Sequence, residues 1–204
     1  MDYWDDYYTK NDPQNIPWTG ANPKFLGKIW QTFKLPMKGN VLDIGCGRGD
    51  KSIFLAEKGF NVWGVDISEV AIKHANEASK HLKDKPIFVS GDISRFDEIK
   101  EFSDKNFDIV LDFSVSQFLS KEEKVEYLAQ LSKHLIPNMS FYILLTFAKD
   151  DENDDQDGIA DWIKKIAQTP KEVEELYGKN FEILDRWRSY STKGKSDTYI
   201  LKAK

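Results

Sequence analysis

Residues 41–50, VLDIGCGRGD, set glycines at alternate positions 45, 47 and 49 directly after an apolar run, between the carboxylates of Asp43 and Asp50. Alternate glycines let a backbone turn sharply and approach a ligand closely, and such a loop opens at the carboxyl end of a strand, where parallel sheets bind ligands. A dinucleotide fingerprint would require its third glycine at position 50, but this chain has Asp50, a carboxylate badly placed beside a pyrophosphate at a helix N-terminus. The loop therefore suits a nucleotide-like cofactor that lacks phosphate and carries positive charge.

Two further strand ends agree with it. The run VWGV ends on Asp66, whose two carboxylate oxygens can accept both hydroxyls of a ribose, with Ile67 following. The competing role for Asp66 is to cap the next helix, although Ser68 is already a competent cap. The run FVS leads into Gly91 and Asp92, where the carboxylate can accept an exocyclic amine of adenine and the backbone of Ile93 can meet the ring edge. An adenosine bearing a sulfonium and an ammonium, as in S-adenosyl-L-methionine, meets all three requirements. Cys46, inside the loop, reads as a small filler beside the cofactor rather than as a nucleophile.

These loops need a sheet to carry them. Short β-branched runs alternate with longer amphipathic segments, the pattern of βα units on a mostly parallel sheet. The spacing predicts strands over 40–44, 61–65, 86–90, 107–111, 140–147, 181–189 and 198–202, and helices over 24–33, 50–58, 68–82, 120–135 and 169–177. Ser120 with Glu123 and Thr169 with Glu172 fit capping boxes, and Pro23 and Pro170 stand at first helical positions. Residues 190–197, rich in Ser, Gly and Lys, are too few for a crossover helix and imply an antiparallel terminal hairpin.

Composition narrows the function classes. A chain of 204 residues, 40% apolar and 31% charged, is expected to form one domain around one core. No run approaches the roughly 20 apolar residues that span a bilayer, and the start, MDYWDDYYTK, is aromatic and acidic where a signal peptide is basic and then apolar. A cytoplasmic protein with no membrane partner is expected. A single cysteine excludes an internal disulfide and a multi-thiolate metal site, and no metal is expected. The formal charge of −5, with lysines dispersed, offers no basic stripe for nucleic acid. Asn153, Asp155, Asp157 and Gly158 imitate the opening of a calcium loop, but the closing glutamate position is Lys164, so residues 149–158 read as a solvated acidic loop, a possible lid or a filter against anionic substrates.

VLDIGCGRGD, VWGVDIS, FVSGDIS and FDIVLDFS together resemble the successive strand-end motifs of class I S-adenosylmethionine-dependent methyltransferases, over roughly residues 41–147. The resemblance implies a three-layer, doubly wound, Rossmann-like α/β fold with a seven-stranded, mostly parallel sheet of order 3-2-1-4-5-7-6, the last strand antiparallel. It implies a single domain over 1–204, with an N-terminal cap and helix (1–35), a cofactor-binding core (40–147) and C-terminal helices with the hairpin (148–204). Gly45, Cys46, Gly47 and Gly49 would then lie on the methionyl part, Asp43 near its amino group, Asp66 and Ile67 at the ribose, Asp92 and Ile93 at the adenine. Phe113 and Ser114 would face the transferring methyl. More loosely, Trp4, Tyr7, Tyr8, Pro17, Trp18 and Pro23 resemble the opening of thiol, thiopurine, halide and tellurite methyltransferases, which implies an aromatic segment, Trp18 included, over the cofactor. The segment shows too little regular pattern for an ordinary helix.

Methyl transfer from a sulfonium is an in-line displacement that needs alignment, exclusion of water and sometimes removal of a proton. His74, His81 and His134 fall inside expected helices and not at strand ends, so no obvious general base remains, and Asp112, Ser114 or a tyrosine are the candidates. A thiol, which ionises near pH 8.5, needs little help, so a soft small-molecule nucleophile is favoured. The segment Asp112-Phe113-Ser114-Val115 lacks the Asn/Asp-Pro-Pro-aromatic pattern associated with transfer to planar amino groups of bases or glutamine. A small-molecule N- or O-methyltransferase and a non-catalytic cofactor-binding module regulating a partner stay open, as do monomer and homodimer.

Overall fold

The computed structural model describes residues 3–11, 16, 24–154 and 158–204. Seven strands form one sheet of order β3-β2-β1-β4-β5-β7-β6, the expected doubly wound arrangement. The chain groups into two compact units, residues 1–109 and 110–204.

In the first unit, α1 (Tyr3–Lys10) and α2 (Lys24–Phe33) precede β1 (Asn40–Ile44), α3 (Asp50–Glu57), β2 (Asn61–Asp66), α4 (Glu69–Ala78) and β3 (Ile87–Ser90). β1 pairs in parallel with β2, Asp43 opposite Gly64, and β2 pairs in parallel with β3, Asp66 opposite Ser90. β1 and β2 are short and apolar because both faces are covered, and Val41, Leu42, Ile44 and Val65 are fully enclosed. α4 starts where Ser68 accepts the Ala71 N–H at 3.1 Å.

One expectation here is corrected: residues 3–10 form a regular helix. Tertiary contacts hold it where periodicity is lacking. Asp5 Oδ1 accepts the Ser68 hydroxyl at 2.7 Å and the Val70 N–H at 3.2 Å, and Tyr8 packs with Ile16 and Ala71. An eight-residue helix is marginal on propensity alone, so these anchors decide its existence. Pro23, expected at the start of α2, lies outside the described residues.

β4 (Ile109–Phe113) runs across the unit boundary and is followed by α5 (Lys121–Ser132), β5 (Phe141–Ala148), α6 (Asp161–Ile166), α7 (Pro170–Tyr177), β6 (Phe181–Ser191) and β7 (Gly194–Ala203). β4 lies two residues later than the apolar run suggested. Phe107 does not open the strand but is buried against Trp63 and Phe102. Both capping boxes form, at Ser120/Glu123 and Thr169/Glu172, with Pro170 in the first helical turn. The terminal hairpin is antiparallel, but its strands are longer than expected. Ser191 pairs with Gly194, so most of residues 190–197 is strand and only Thr192 and Lys193 make the turn. Polar side chains hide this edge from any hydropathy pattern. What holds it is the fully buried Asp197, which takes the Arg188 guanidinium in two bonds of 2.7 and 2.8 Å.

The expected helices 68–82 and 120–135 are shorter than the sequence suggests, so His81 and His134 lie in turns beyond α4 and α5, and His74 alone is helical. No helix among the described residues is long and apolar enough to cross a membrane.

Candidate functional site

The glycine loop follows β1 as the sequence demands. Gly45, Gly47 and Gly49 all have left-handed backbones, with φ of 61°, 55° and 82°, a region costly for any residue with a Cβ. The Cys46 N–H still reaches the Val65 carbonyl at 3.0 Å and so extends the β1–β2 ladder one residue into the loop. Gly49 then starts α3, its carbonyl accepting the Ile53 N–H at 2.7 Å. A Cβ at Gly49 would stand 2.6 Å from the Phe88 ring, and one at Gly64 would stand 2.7 Å from that ring and 2.9 Å from Cys46 Sγ. Gly64 is thus part of the site's construction, because its lack of a side chain makes room for the thiol and the ring that support the loop. The sequence pattern did not single it out; its signal is a glycine in the middle of a buried strand.

Three carboxylates were expected around this loop. Asp66, at the end of β2, is tied to it directly. Its Oδ2 accepts the Gly47 N–H at 2.9 Å and its Oδ1 accepts the Ser68 N–H at 3.0 Å. The acidic side chain therefore locks the glycine loop to the start of α4, and burial raises its pKa against the pull of those two donors. Ile67, the next residue, is exposed. Asp92 starts the 3-10 turn Ile93–Glu98 by accepting the Ser94 N–H at 2.9 Å, and Ile93 is buried beside it.

Asp43 is the most unusual of the three. It is wholly buried inside β1, with Oδ2 accepting the Ser52 hydroxyl at 2.7 Å and Oδ1 without a hydrogen-bond partner among the described residues. Burial pushes its carboxyl above the ordinary range, with Lys51 and the Ser52 hydroxyl pulling back. A buried acceptor left unsatisfied is costly and is the kind of feature that ligand sites retain. Its chemistry fits an ammonium. Ser52, one turn into α3, was not legible as a site residue, because nothing in the spacing announces that a serine nine residues on returns to β1.

Cys46 is buried, and burial, with Asp43 and Asp66 nearby, pushes its thiol well above the usual value, the environment of a packed thiol and not of an activated one. Trp18, expected over the cofactor, lies outside the described residues, as do Pro17, Asp155 and Asp157. Of the aromatic opening, Tyr8 is buried, while Trp4 and Tyr7 pack around the same cluster at the N-terminal end of α4.

In the second unit, β4 carries Asp112, Phe113 and then Ser114. Asp112 is fully enclosed: Oδ2 accepts the Tyr142 hydroxyl at 2.6 Å, and Oδ1 accepts the Val115 and Ser116 N–H groups at 3.0 and 3.2 Å. Burial raises its pKa, and the donors from Ser116, Tyr142 and Val115 oppose the rise. The network continues through Tyr127 to Tyr142 at 3.3 Å and Ser116 to Tyr177 at 2.7 Å. Ser114 takes a left-handed conformation, φ 65°, its N–H donating to the Leu145 carbonyl at 2.7 Å. A serine in that region is strained and must be held by its surroundings, and the Asp112 turn on one side and β5 on the other do so. No particular tyrosine was singled out from the sequence, because their partners lie 15, 30 and 61 residues away.

The loop after β5, expected to be a solvated lid or filter, is tethered over its described part. Asp150 pairs with both Arg188 and Lys195, and Lys195 also reaches Asp154 at 2.8 Å.

Comparison with known proteins places this arrangement. A family model described as a methyltransferase domain matches residues 41–138, the span from β1 past α5. YqeM of Bacillus subtilis is 43% identical over 83 residues, a match covering 40% of this chain and 31% of YqeM, so the chain spans less than a third of that relative. The magnesium protoporphyrin IX methyltransferase ChlM of Synechocystis PCC 6803, solved with bound S-adenosylmethionine, shares the fold with a TM-score of 0.71 at 18% identity, over 98% of this chain and 95% of that one. The uncharacterized methyltransferase C750.03c of Schizosaccharomyces pombe is 34% identical over 110 residues, 54% of this chain and 72% of that protein. With a relative covered to that extent, the family model on the same segment and the strand order of the fold, the chain belongs to the class I S-adenosylmethionine-dependent methyltransferases.

Proposed function

We propose that the protein transfers the methyl group of S-adenosylmethionine to a small-molecule acceptor whose nucleophile is soft and ionises readily, a thiol being the simplest case. The observation that carries the cofactor half is Asp43 Oδ1, a wholly buried carboxylate oxygen with no partner among the described residues, next to a loop of three left-handed glycines. In this reading Asp43 holds the amino group of the cofactor, Asp66 the ribose, Asp92 and Ile93 the adenine, and Gly45 to Gly49 the methionyl chain. When bound, the cofactor supplies an electrophilic methyl on a sulfonium. The protein's part is to orient and to exclude water.

The acceptor half rests on what Asp112 does. Both its oxygens are committed to Tyr142, Val115 and Ser116 inside the core, so it acts as a positioning residue that shapes the turn at Ser114, not as a base. Deprotonation then falls to the acceptor's own acidity, which favours a thiol over an alcohol or a protonated amine.

Calorimetric titration with S-adenosylmethionine and S-adenosylhomocysteine, with NAD as control, is the first test. Micromolar binding of the first two alone is expected, followed by release of S-adenosylhomocysteine with thiols. Absence of binding overturns the proposal; binding without turnover of any thiol, amine or hydroxyl compound returns the protein to a non-catalytic cofactor-binding module.

A further inference from the structure

Among the described residues, three buried side-chain atoms stand without a hydrogen-bond partner: Asp43 Oδ1, Arg48 Nη1 and His74 Nδ1. All three lie in the first unit and border one loop. Asp43 is the next-to-last residue of β1, Arg48 sits between the left-handed Gly47 and Gly49, and His74 is on α4. The loop rests on that helix: a Cβ at Gly49 would stand 3.1 Å from the Cβ of Ala75, the residue after His74. The backbone on either side of Arg48 is of the kind glycine adopts freely, and the Gly47 N–H is tied to Asp66 at 2.9 Å, so the base of the arginine side chain is fixed.

The unpartnered atoms differ in kind. Asp43 offers an acceptor, whereas Arg48 offers a donor on a guanidinium that keeps its charge at any working pH. Arg48 has no ion pair among the described residues. Its neighbour His74 supplies no counter-charge, since an imidazole is neutral or cationic. Burial, and then the positive charges of Arg48 and Lys73, lower the His74 pKa, so the ring is neutral at pH 7. Leaving a buried charged donor unsatisfied is more costly than leaving a neutral one. A buried acceptor and a buried cationic donor on one loop, each incomplete, match a ligand end that carries both charges close together. An α-amino acid is such an end, because its ammonium and carboxylate share one carbon.

We propose that Arg48 receives the carboxylate of the cofactor's amino-acid end while Asp43 receives its ammonium, and that His74 keeps the guanidinium available by standing beside it without negative charge. The inference rests on the methyl-transfer reading above and deepens it. The glycine loop then selects an intact amino-acid end and discriminates against a decarboxylated cofactor, which has the same adenosine, sulfonium and ammonium. Arg48 is in this role a binding residue, and His74 a positioning residue that acts through it.

Calorimetry with three compounds tests this without any turnover. S-adenosylhomocysteine carries both charges, S-adenosyl-3-thiopropylamine lacks the carboxylate, and 5′-methylthioadenosine lacks both. The wild-type protein should prefer the first over the second by at least about tenfold, the ratio that one charge-assisted hydrogen bond supports. Arg48→Gln should weaken S-adenosylhomocysteine by about that factor and leave the other two compounds within about threefold, so that the preference disappears while the adenosine end still binds. Arg48→Lys, which keeps the charge, should retain part of the preference. His74→Asp, which hands the guanidinium a partner inside the protein, should lower it in the same selective way, and His74→Asn should not. Equal binding of the first two compounds by the wild type, a preference that survives Arg48→Gln, or a loss in that variant shared by all three compounds overturns the assignment of Arg48. A preference unchanged in His74→Asp overturns the role of His74. Failure of all three compounds to bind the wild type is a different result and refutes the methyltransferase reading itself.

Discussion

Asp43→Asn separates the stability of the empty protein from its affinity for cofactor. The substitution keeps the shape and one acceptor for the Ser52 hydroxyl, now 2.7 Å from Oδ2, and removes the charge from a side chain with no exposed surface. If Oδ1 receives the ammonium of the cofactor, the lost interaction is a charge-assisted hydrogen bond, worth about 1.5–3 kcal/mol, or a roughly 10- to 150-fold weaker Kd. Thermal unfolding reads both sides at once. At a cofactor concentration of about 100 times the wild-type Kd, binding stabilises the wild type by ~2.7 kcal/mol; a hundredfold loss of affinity leaves ~0.4 kcal/mol. The empty variant should be no less stable than the wild type at neutral pH, because a carboxylate whose charged form is penalised by burial has been neutralised. The pH dependence has a definite sign. A carboxyl raised in the folded state makes the empty wild type gain stability as pH falls through the folded pKa towards the ordinary value of 3.8, and Asn removes that contribution. Cofactor affinity within threefold of wild type, combined with a destabilised empty protein, would show that Asp43 is a structural residue and that its unpartnered oxygen has nothing to do with the ligand.

Asp66→Ala removes the acceptor of the Gly47 and Ser68 N–H groups as well as the expected ribose contact, and should cost cofactor binding about 1.5–3 kcal/mol by calorimetry; a loss under threefold contradicts the ribose assignment. Gly49→Ala combines a φ of 82° with a Cβ 2.6 Å from the Phe88 ring, so chemical denaturation should report about 1–3 kcal/mol of destabilisation, and an unchanged midpoint would mean that the loop relaxes freely. Asp150 and Asp154 are held below the usual carboxylate range by Lys195 first, with Arg188 also acting on Asp150. Their tether is therefore complete above that range and lost as pH falls through the lowered values, and cleavage near residues 150–154 by an acid-active protease should rise there. Cleavage that does not change with pH would show that the ion pairs do not hold the loop.

What could be read from the chain alone was whatever depends on neighbours along it. The alternate glycines, Ser68, the two capping boxes and the apolar runs of β1 and β2 each state a backbone conformation or a buried face within a few residues, so fold class, strand order by resemblance and the placing of Asp43, Asp66 and Asp92 at strand ends were all legible. The tertiary structure decided what those residues touch. It brought Ser52 back to Asp43, joined Asp66 to Gly47, closed Tyr142 on Asp112 across 30 residues, and stacked Trp162 on Phe118 across 44. It also decided that residues 3–10 are a helix and 194–197 a strand, since Asp5 and Arg188 supply the partners that local pattern lacks. The physical reason is common to all of these. Helix caps and strand periodicity are encoded by short-range sterics and burial, whereas a buried polar atom or a stacked ring takes its meaning from a partner that only the folded chain brings within a few ångströms.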